Sequence, residues 1–219
     1  MPAVRRPELT LADAPAPEVR VLDSRELVAG HVWDIRRDRL AFGDAVLERD
    51  YMDHPGAVAV LALDEEDRVL LLQQYRHPIA HRDWEIPAGL MDVPGESGLA
   101  GAKRELAEEA DLRAEHWSLL LDLFLSPGGS SEAVRVFLAR GLSAETHDFV
   151  REGEEAELAP TWVPLDDAVT AVLDGRFANS ITAGAVLAAA AAKARGWSTL
   201  RDPHSAWTAR EHVRGERSK

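Results

Sequence analysis

The amino-acid sequence predicts an α/β fold, organised as one substantial domain with a small extension. Its 219 residues, 46% of them hydrophobic, are enough for one sizeable core. Two apolar runs, 56–63 and 69–75, have the length and composition of buried strands. The stretch 89–112 instead repeats apolar residues at helical spacing, so strands and helices are expected within the same domain.

The composition excludes several classes of function. A formal net charge of -13 argues against nucleic acid as a partner, because binding to its backbone needs clustered Lys and Arg. The absence of cysteine excludes disulfides, thiolate catalysis and cysteine-ligated zinc. The first residues lack the apolar core of a signal peptide, and no run approaches the length of a membrane span. We therefore expect a cytoplasmic protein with no membrane partner.

The N-terminal part of the chain is predicted to be an arm followed by strands. Residues 1–17 are rich in Pro and Ala and are expected to be mobile. Strand-like segments follow at 18–28, 31–40 and 45–52, with glycine-containing turns between them, and they are candidates for antiparallel pairing. The second segment contains Trp33, which is interpreted either as a packing residue or as a stacking platform for a purine ring.

The apolar runs 56–63 and 69–75 are separated by an acidic turn, so they are predicted to pair as a central hairpin. A proline-containing loop comes directly afterwards, with Arg76 and Arg82 on its two sides. Guanidinium groups match phosphate oxygens bidentately, which suits recognition of a diphosphate. The alternative is that both are ordinary surface arginines.

The next stretch predicts a helix with two distinct faces. Glu105, Glu108 and Glu109 share one face, while an apolar stripe lies about 100° away and consists of Leu99, Ala102, Leu106 and Ala110. Three neighbouring carboxylates repel one another and need a counter-charge. Mg²⁺ or Mn²⁺, which prefer oxygen ligands and bridge to phosphates, would supply it. The alternative interpretation is a solvated acidic helix face.

Two strands are predicted after this helix, at 116–124 and 133–139, joined by the loop 126–132. The loop sequence GGSSE suggests a serine-hydrolase elbow, but the GxSxG pattern fails at Glu132. The long polar segment 141–159 resembles an active-site loop that could deliver a carboxylate as general base. An ordinary solvated acidic loop is the alternative.

The C-terminal part is predicted to be helical. A strand at 161–165 leads into helices at 165–174 and 180–195, the second capped by Asn179 or Ser180. The polar residues that follow Trp197 are expected to fray.

The stretch from Gly89 to Leu112 resembles the Nudix box, a glycine and a glutamate followed by R-E-apolar-x-E-E-x-G-apolar. The positions on pattern are Gly89, Glu96, Arg104, Glu105, Leu106, Glu108, Glu109 and Leu112. Two positions depart from the pattern: six residues rather than five separate Gly89 from Glu96, and Asp111 replaces the closing glycine.

The resemblance extends from about residue 19 to residue 195 and is to the ADP-ribose pyrophosphatase branch of the Nudix hydrolases. It is carried by QQYRHP and WEIPAGLMDVPGE, by the late EEAEL with its NS-initiated helix, and by Pro127, sixteen residues beyond Asp111. The resemblance implies a Nudix-type α/β/α sandwich with a mixed sheet, plus an N-terminal antiparallel β extension exchanged between the subunits of a homodimer. The implied division is 1–17 arm, 18–54 dimer-forming extension, 55–197 Nudix hydrolase domain and 198–219 tail.

The resemblance also implies an activity and a set of site residues. The activity is hydrolysis of ADP-ribose to AMP and ribose 5-phosphate with Mg²⁺ or Mn²⁺. Another nucleoside diphosphate compound, such as a nucleotide sugar or a dinucleotide, is an alternative substrate, and a non-catalytic ADP-ribose sensor is a further alternative. The implied metal ligands are Glu105, Glu108, Glu109 and the main-chain carbonyl of Ala88, with Glu96 and Arg104 paired in support.

The remaining implied residues act on the substrate. Arg76 is expected to contact the diphosphate, with Arg82 as a second candidate, and Pro127 to accompany specificity for ADP-ribose. Trp33 is the nearest candidate to stack on adenine. The base is expected to be Glu154, the first glutamate of the pattern E-x-x-acidic-apolar, or its neighbour Glu155.

Overall fold

The computed structural model describes residues 11–147, 149 and 159–215, which contain ten strands, four α-helices and one short 3₁₀ helix (His77–Ile79). The strands are β1 (Arg20–Val28), β2 (Asp34–Phe42), β3 (Ala45–Asp53), β4 (Ala57–Ala62), β5 (Arg68–Arg76), β6 (His81–Glu85), β7 (Ala88–Leu90), β8 (Leu112–Phe124), β9 (Ala133–Ala144) and β10 (Thr161–Pro164). The helices are α1 (Gly98–Ala110), α2 (Leu165–Leu173), α3 (Ser180–Lys193) and α4 (Thr208–Gly215).

The strands form three sheets. The N-terminal sheet has the order β1-β2-β3, a second sheet has the order β10-β5-β6, and the central sheet has the order β7-β4-β9-β8. In the central sheet β4 pairs with β9 in parallel, whereas β4–β7 and β8–β9 are antiparallel. The central sheet is therefore mixed, as the sequence resemblance implied.

Helices cover both faces of the central sheet. Alternate residues of a strand point to opposite faces, and in β4 both sets are buried. Val58, Val60 and Ala62 pack in one apolar cluster with the predicted stripe of α1. The intervening residues of β4 pack in a second cluster with α2 and α3. The predicted α/β/α sandwich is thus confirmed.

The predicted central hairpin is wrong. The acidic turn forms, and the Asp64 carboxylate accepts hydrogen bonds from the backbone N–H groups of Glu66 and Arg68. Beyond one isolated bridge between Leu63 and Val69, however, the two strands enter different sheets. β4 takes β7 and β9 as neighbours and β5 takes β6 and β10, because pairings distant along the chain decide the sheet order.

Helix α1 carries most of the box motif and has defined ends. The Ser97 hydroxyl accepts a hydrogen bond from the Ala100 N–H and caps the N-terminus. Asp111 ends the helix in the left-handed conformation, with φ 55°, and its N–H donates to the Ala107 carbonyl at 2.9 Å. Aspartate tolerates this conformation better than most residues, so the loss of the box glycine does not displace the helix end.

The segments after β9 differ from their predictions in two places. The first residues of the predicted loop 141–159 continue β9 as far as Ala144. The C-terminal tail does not fray over 198–215: Arg201 exchanges backbone hydrogen bonds with Leu119, and Trp207 is buried. Helix α3 begins as predicted, because the Asn179 side chain accepts a hydrogen bond from the Thr182 N–H.

The N-terminal sheet stands out from the sandwich. Residues 11–17 are exposed and lie in neither helix nor strand, and every residue of β1 is exposed. Trp33 was predicted within the second strand but lies one residue before β2, because regular pairing with β3 begins at Asp34. No helix in the described part of the chain is long and apolar enough to cross a membrane.

Candidate active site

The carboxylates of α1 converge on one guanidinium group. Arg104 Nη1 lies 2.6 Å from Glu105 Oε1 and 3.0 Å from Glu108 Oε2. The Nε and Nη2 atoms of Arg104 donate to the two carboxylate oxygens of Glu96, each at 3.1 Å. The counter-charge that the acidic helix face requires is therefore supplied here by Arg104. The hydrogen bond to Glu96 raises the pKa of Arg104 further above its ordinary value, so the guanidinium stays charged.

Strand β7 closes the other side of this acidic group. The Ala88 N–H donates to Glu109 Oε2 at 2.9 Å, which joins the strand to the end of α1. A Cβ built on Gly89 would overlap the carboxylate of Glu105, whose residue is only 7% exposed. Glycine at residue 89 therefore allows the backbone and the Glu105 carboxylate to approach this closely.

The donor set suits a hard divalent cation. It consists of the α1 carboxylates and the neighbouring backbone of Ala88, all oxygen ligands of the kind that Mg²⁺ and Mn²⁺ prefer. Over residues 11–147, 149 and 159–215, no three His, Asp or Glu side chains are arranged to hold a metal ion. The contacts of Arg104 explain that arrangement, since Glu105 and Glu108 are turned toward its guanidinium. A metal would take over those two carboxylates and leave Arg104 with Glu96.

A second polar group lies at the ends of β5 and β6. Arg76 donates to both oxygens of Glu85, at 2.7 and 2.6 Å, and the side chain of Glu85 is 9% exposed. Glu85 lies three residues before Ala88, so one short stretch of chain joins this ion pair to the α1 carboxylates. Burial raises the pKa of Glu132, and the positive charge of Arg76 offsets part of that rise. Arg76 therefore forms an ion pair with Glu85 and stabilises the charged form of Glu132, which belongs to a different part of the chain.

The loop 126–132 brings the N-terminal sheet to this polar group. The Met52 N–H donates to the Gly129 carbonyl, and the Ser131 N–H donates back to the Met52 carbonyl. The Nε2 atom of the buried His54 ring lies 3.8 Å from Glu132 Oε1, and the centroid of the same ring lies 5.9 Å from that of the Trp33 ring. Trp33 is 38% exposed. The indole thus lies near the Glu132 loop and retains an accessible surface.

The other residues predicted for the site are placed less centrally. Arg82 is exposed on β6 and lies opposite Tyr75, and Pro127 is exposed in the loop 126–132. Both candidates for the base, Glu154 and Glu155, lie outside the described residues.

Sequence reasoning missed Glu85, Glu132 and His54. Glu85 and Glu132 each stand next to an apolar strand residue, yet nothing in their local sequence indicates that both face Arg76. In the sequence, Glu132 is notable only as the residue at which the GxSxG pattern of serine hydrolases fails. A carboxylate that ends a loop of small residues, just before a mostly apolar strand, is the one signal that could have marked it.

The fold and the acidic helix define a family. The family model described as NUDIX domain matches residues 53–182, more than half of the chain. The chain belongs to this family, and it is a Nudix hydrolase by fold and box.

Individual relatives carry more specific names than the family model does. The ADP-ribose pyrophosphatase of Mycobacterium tuberculosis is 40% identical over 176 residues, which cover 78% of this chain and 83% of the relative. The ADP-ribose pyrophosphatase of Bacillus subtilis is 32% identical over 171 residues, covering 77% and 91%. The solved structure described as "Crystal structure of ADP compounds hydrolase" has a TM-score of 0.69 at 20% identity and covers 84% of this chain and 99% of that one, which supports the shared fold.

Replacing Gly89 with Ala should weaken metal binding more than it weakens the fold. The added Cβ displaces the Glu105 carboxylate, a flexible end that can move, so we expect a Mn²⁺ affinity about tenfold lower. Mn²⁺ binding is measured by electron paramagnetic resonance titration and stability by urea unfolding. The control is Gly184→Ala, the same substitution in α3, where the added Cβ would make only an ordinary van der Waals contact. Unchanged Mn²⁺ affinity in Gly89→Ala would contradict the placement of the metal beside Glu105.

Replacing Glu132 with Gln should stabilise the protein at neutral pH. The pKa of Glu132 in the folded protein lies above its ordinary value. At pH values between these two, the folded protein binds more protons than the unfolded chain, so its free energy of unfolding falls as pH rises through this interval. Above the interval, Glu132→Gln removes the free-energy cost of burying a charged carboxylate. Below about pH 4 it changes the free energy of unfolding little, because the carboxyl is protonated in both states. Urea unfolding across pH measures the difference. Glu65→Gln, in the exposed turn, controls for loss of one negative charge. A destabilised Glu132→Gln at pH 7 would refute the explanation.

Proposed function

We propose that this Nudix hydrolase cleaves the diphosphate of ADP-ribose to AMP and ribose 5-phosphate, with Mg²⁺ or Mn²⁺ as cofactor. The observation that carries the proposal is the group of α1 carboxylates held between Arg104 and the Ala88–Gly89 backbone. The two bacterial relatives, both named ADP-ribose pyrophosphatase, support the choice of substrate.

In this proposal Glu105, Glu108, Glu109 and the Ala88 carbonyl hold the metal. When bound, the metal neutralises the diphosphate and lowers the pKa of a coordinated water. Arg104 then pairs with Glu96 and holds α1 against the loop that precedes it. This supporting role follows from the two hydrogen bonds that already join the two side chains.

The chain's other charged groups act on the substrate and on the attacking water. Glu154 takes the proton from the water, with its neighbour Glu155 as the rival candidate; the support for this role is the late EEAEL sequence that resembles the family pattern. Arg76 stabilises negative charge on the diphosphate. Its side chain is 44% exposed while Glu85 fixes the direction of the guanidinium. Arg82 is a second contact to phosphate. A guanidinium held by a buried carboxylate is preorganised, so little reorganisation opposes binding.

The nucleoside half of the substrate is assigned to the N-terminal part of the chain. Trp33 stacks on adenine, and Pro127 lies in the loop that the N-terminal sheet contacts through Met52. The proximity of Trp33 to His54, and of His54 to Glu132, supports this assignment because it joins the adenine platform to the side of Arg76.

We further propose a homodimer formed through residues 18–54, in the cytoplasm, with residues 55–197 as the catalytic domain. Large apolar side chains of the N-terminal sheet support this, since they are exposed in the single chain: Val21, Leu22, Leu27, Val28, Phe42 and Val46. Several large apolar side chains left exposed on one small sheet favour a protein interface there. Sedimentation equilibrium should give twice the chain mass, and Val28→Asp should shift the protein toward monomer. A wild-type monomer at micromolar concentration would refute the dimer.

The activity is tested with a panel of substrates. With Mg²⁺ or Mn²⁺, purified protein should release AMP from ADP-ribose faster than it hydrolyses nucleotide sugars or dinucleotides. Glu154→Gln should lower kcat by about 10²-fold or more while Mn²⁺ binding survives, because only the proton acceptor is lost.

Three outcomes would contradict parts of this proposal. No AMP from ADP-ribose with either metal would refute the activity. Faster turnover of another nucleoside diphosphate compound would reassign the substrate. Loss of kcat in Glu155→Gln, with Glu154→Gln active, would exchange the two glutamates.

A further inference from the structure

The C-terminal segment 201–210 lies outside the family match and has no part in the site described so far, yet it packs onto the start of the box helix. Trp207 is 7% exposed and belongs to the same apolar cluster as Leu99 and Phe137. A Cβ built on Gly98, the first residue of α1, would meet the Trp207 ring at 3.6 Å. The segment therefore covers the N-terminal end of the helix that carries the acidic group.

Two arginines hold this segment in place. The buried Arg135 forms an ion pair with Asp122 at 2.7 Å and donates to the carbonyls of Ser205 and Ala206, at 2.7 and 3.1 Å. Its guanidinium lies 5.0 Å from the centroid of the Trp207 ring, and that of Arg210 lies 5.6 Å away. Cation–π contacts in a buried setting fix the orientation of the indole.

Arg210 reaches from α4 to the backbone beside β7. Its Nε donates to the Pro55 carbonyl at 3.0 Å, and its Nη2 donates to the Met91 carbonyl at 3.1 Å. The Met91 N–H in turn donates to the Gly56 carbonyl, so Arg210 bridges the two backbones where β4 and β7 meet. Gly56 has φ +87°, and a Cβ there would lie 2.9 Å from Arg210 Nε, so glycine makes room for the guanidinium.

Met91 lies directly after β7, the strand that contacts the acidic group twice. The Ala88 N–H binds Glu109, and Gly89 lies against the Glu105 carboxylate. A shift of β7 by a fraction of an ångström would therefore move both contacts together. Groups that orient metal-binding residues from behind are worth about 10–100-fold in metal affinity or activity.

We propose that Arg210, oriented by Trp207, is a positioning residue that fixes β7 and through it the carboxylates of Glu105 and Glu109. The inference rests on the proposed function for its meaning, because the residues positioned are the proposed metal ligands. Under this proposal the C-terminal segment contributes to metal binding through β7, by way of the Arg210 hydrogen bond to the Met91 carbonyl.

The test compares Arg210→Met with Arg201→Met in the full-length chain. Arg201 lies on the same segment and pairs with Asp122 at 3.2 Å, but it makes no described contact with the β7 backbone. Arg210→Met retains the aliphatic stem and removes both donors. We expect its Mn²⁺ affinity, measured without substrate, and its kcat on ADP-ribose each to fall about tenfold, with KM for ADP-ribose changed less.

Hydrogen exchange provides a readout that needs neither metal nor activity. The amide of Ala88 should exchange faster in Arg210→Met than in Arg201→Met, because its bond to Glu109 loosens. Arg210→Lys, which keeps one donor, should restore part of the Mn²⁺ affinity. If Arg210→Met does not fold, Arg210→Lys and Trp207→Phe are compared with Arg201→Met in the same measurements.

The outcomes separate the inference from the proposed function. A wild-type protein that releases no AMP refutes the function, while faster Ala88 exchange in Arg210→Met still supports the positioning role. An Arg210→Met variant that matches Arg201→Met in Mn²⁺ affinity, kcat and Ala88 exchange, and differs only in its unfolding midpoint, refutes the positioning role. Arg210 would then be a purely structural clasp.

Discussion

The interaction on which this structure depends is the ion-pair network of Arg104 with three carboxylates. Two neighbouring carboxylates about 5 Å apart repel by about 3 kcal/mol at an effective dielectric constant of 20. A cation between Glu105 and Glu108 relieves this repulsion on the shared side of α1, and Arg104 supplies it at 2.6 and 3.0 Å. The two bonds from Arg104 to Glu96 also attach α1 to the preceding loop. One guanidinium therefore fixes both the electrostatics and the position of the box.

The sandwich makes this network rigid. The apolar side of α1 is buried against β4 and β9, and β7 approaches so closely that a Cβ at residue 89 would displace the Glu105 carboxylate. The parallel pairing of β4 with β9 buries both faces of the two strands, which places α1 on one side and α3 on the other. The carboxylates thus lie on an element with little freedom to move, while Arg76 and Glu132 join the site from the ends of other strands.

Much of the fold and part of the site could be predicted from the sequence, because those features are local. The faces of α1 follow from helical spacing, and the predicted stripe of Leu99, Ala102, Leu106 and Ala110 is buried. The Asn179 cap and the acidic turn at Asp64 also follow from short-range hydrogen bonding. The box motif adds the glycine before the helix, whose close approach to Glu105 the structure then explains.

The features that could not be predicted depend on contacts between distant parts of the chain. The segments β4 and β5 look like a hairpin, but their partners are β9 and β10, which lie far along the sequence. The polar composition around Trp207 indicates fraying, and only the positions of Arg135 and Arg210 show why the indole is buried. The meeting of Arg76 with Glu85 and Glu132 likewise depends on three separate elements, none of which indicates the others.

Anomalous diffraction from crystals grown with Mn²⁺ and a non-hydrolysable ADP-ribose analogue would test the central claim most directly. We predict a Mn²⁺ peak within about 2.0–2.6 Å of the carboxylates of Glu105, Glu108 and Glu109 and of the Ala88 carbonyl, with Arg104 retaining Glu96 alone. A peak bound elsewhere, with Arg104 still paired to Glu105 and Glu108, would contradict the assignment of α1 as the metal-binding helix.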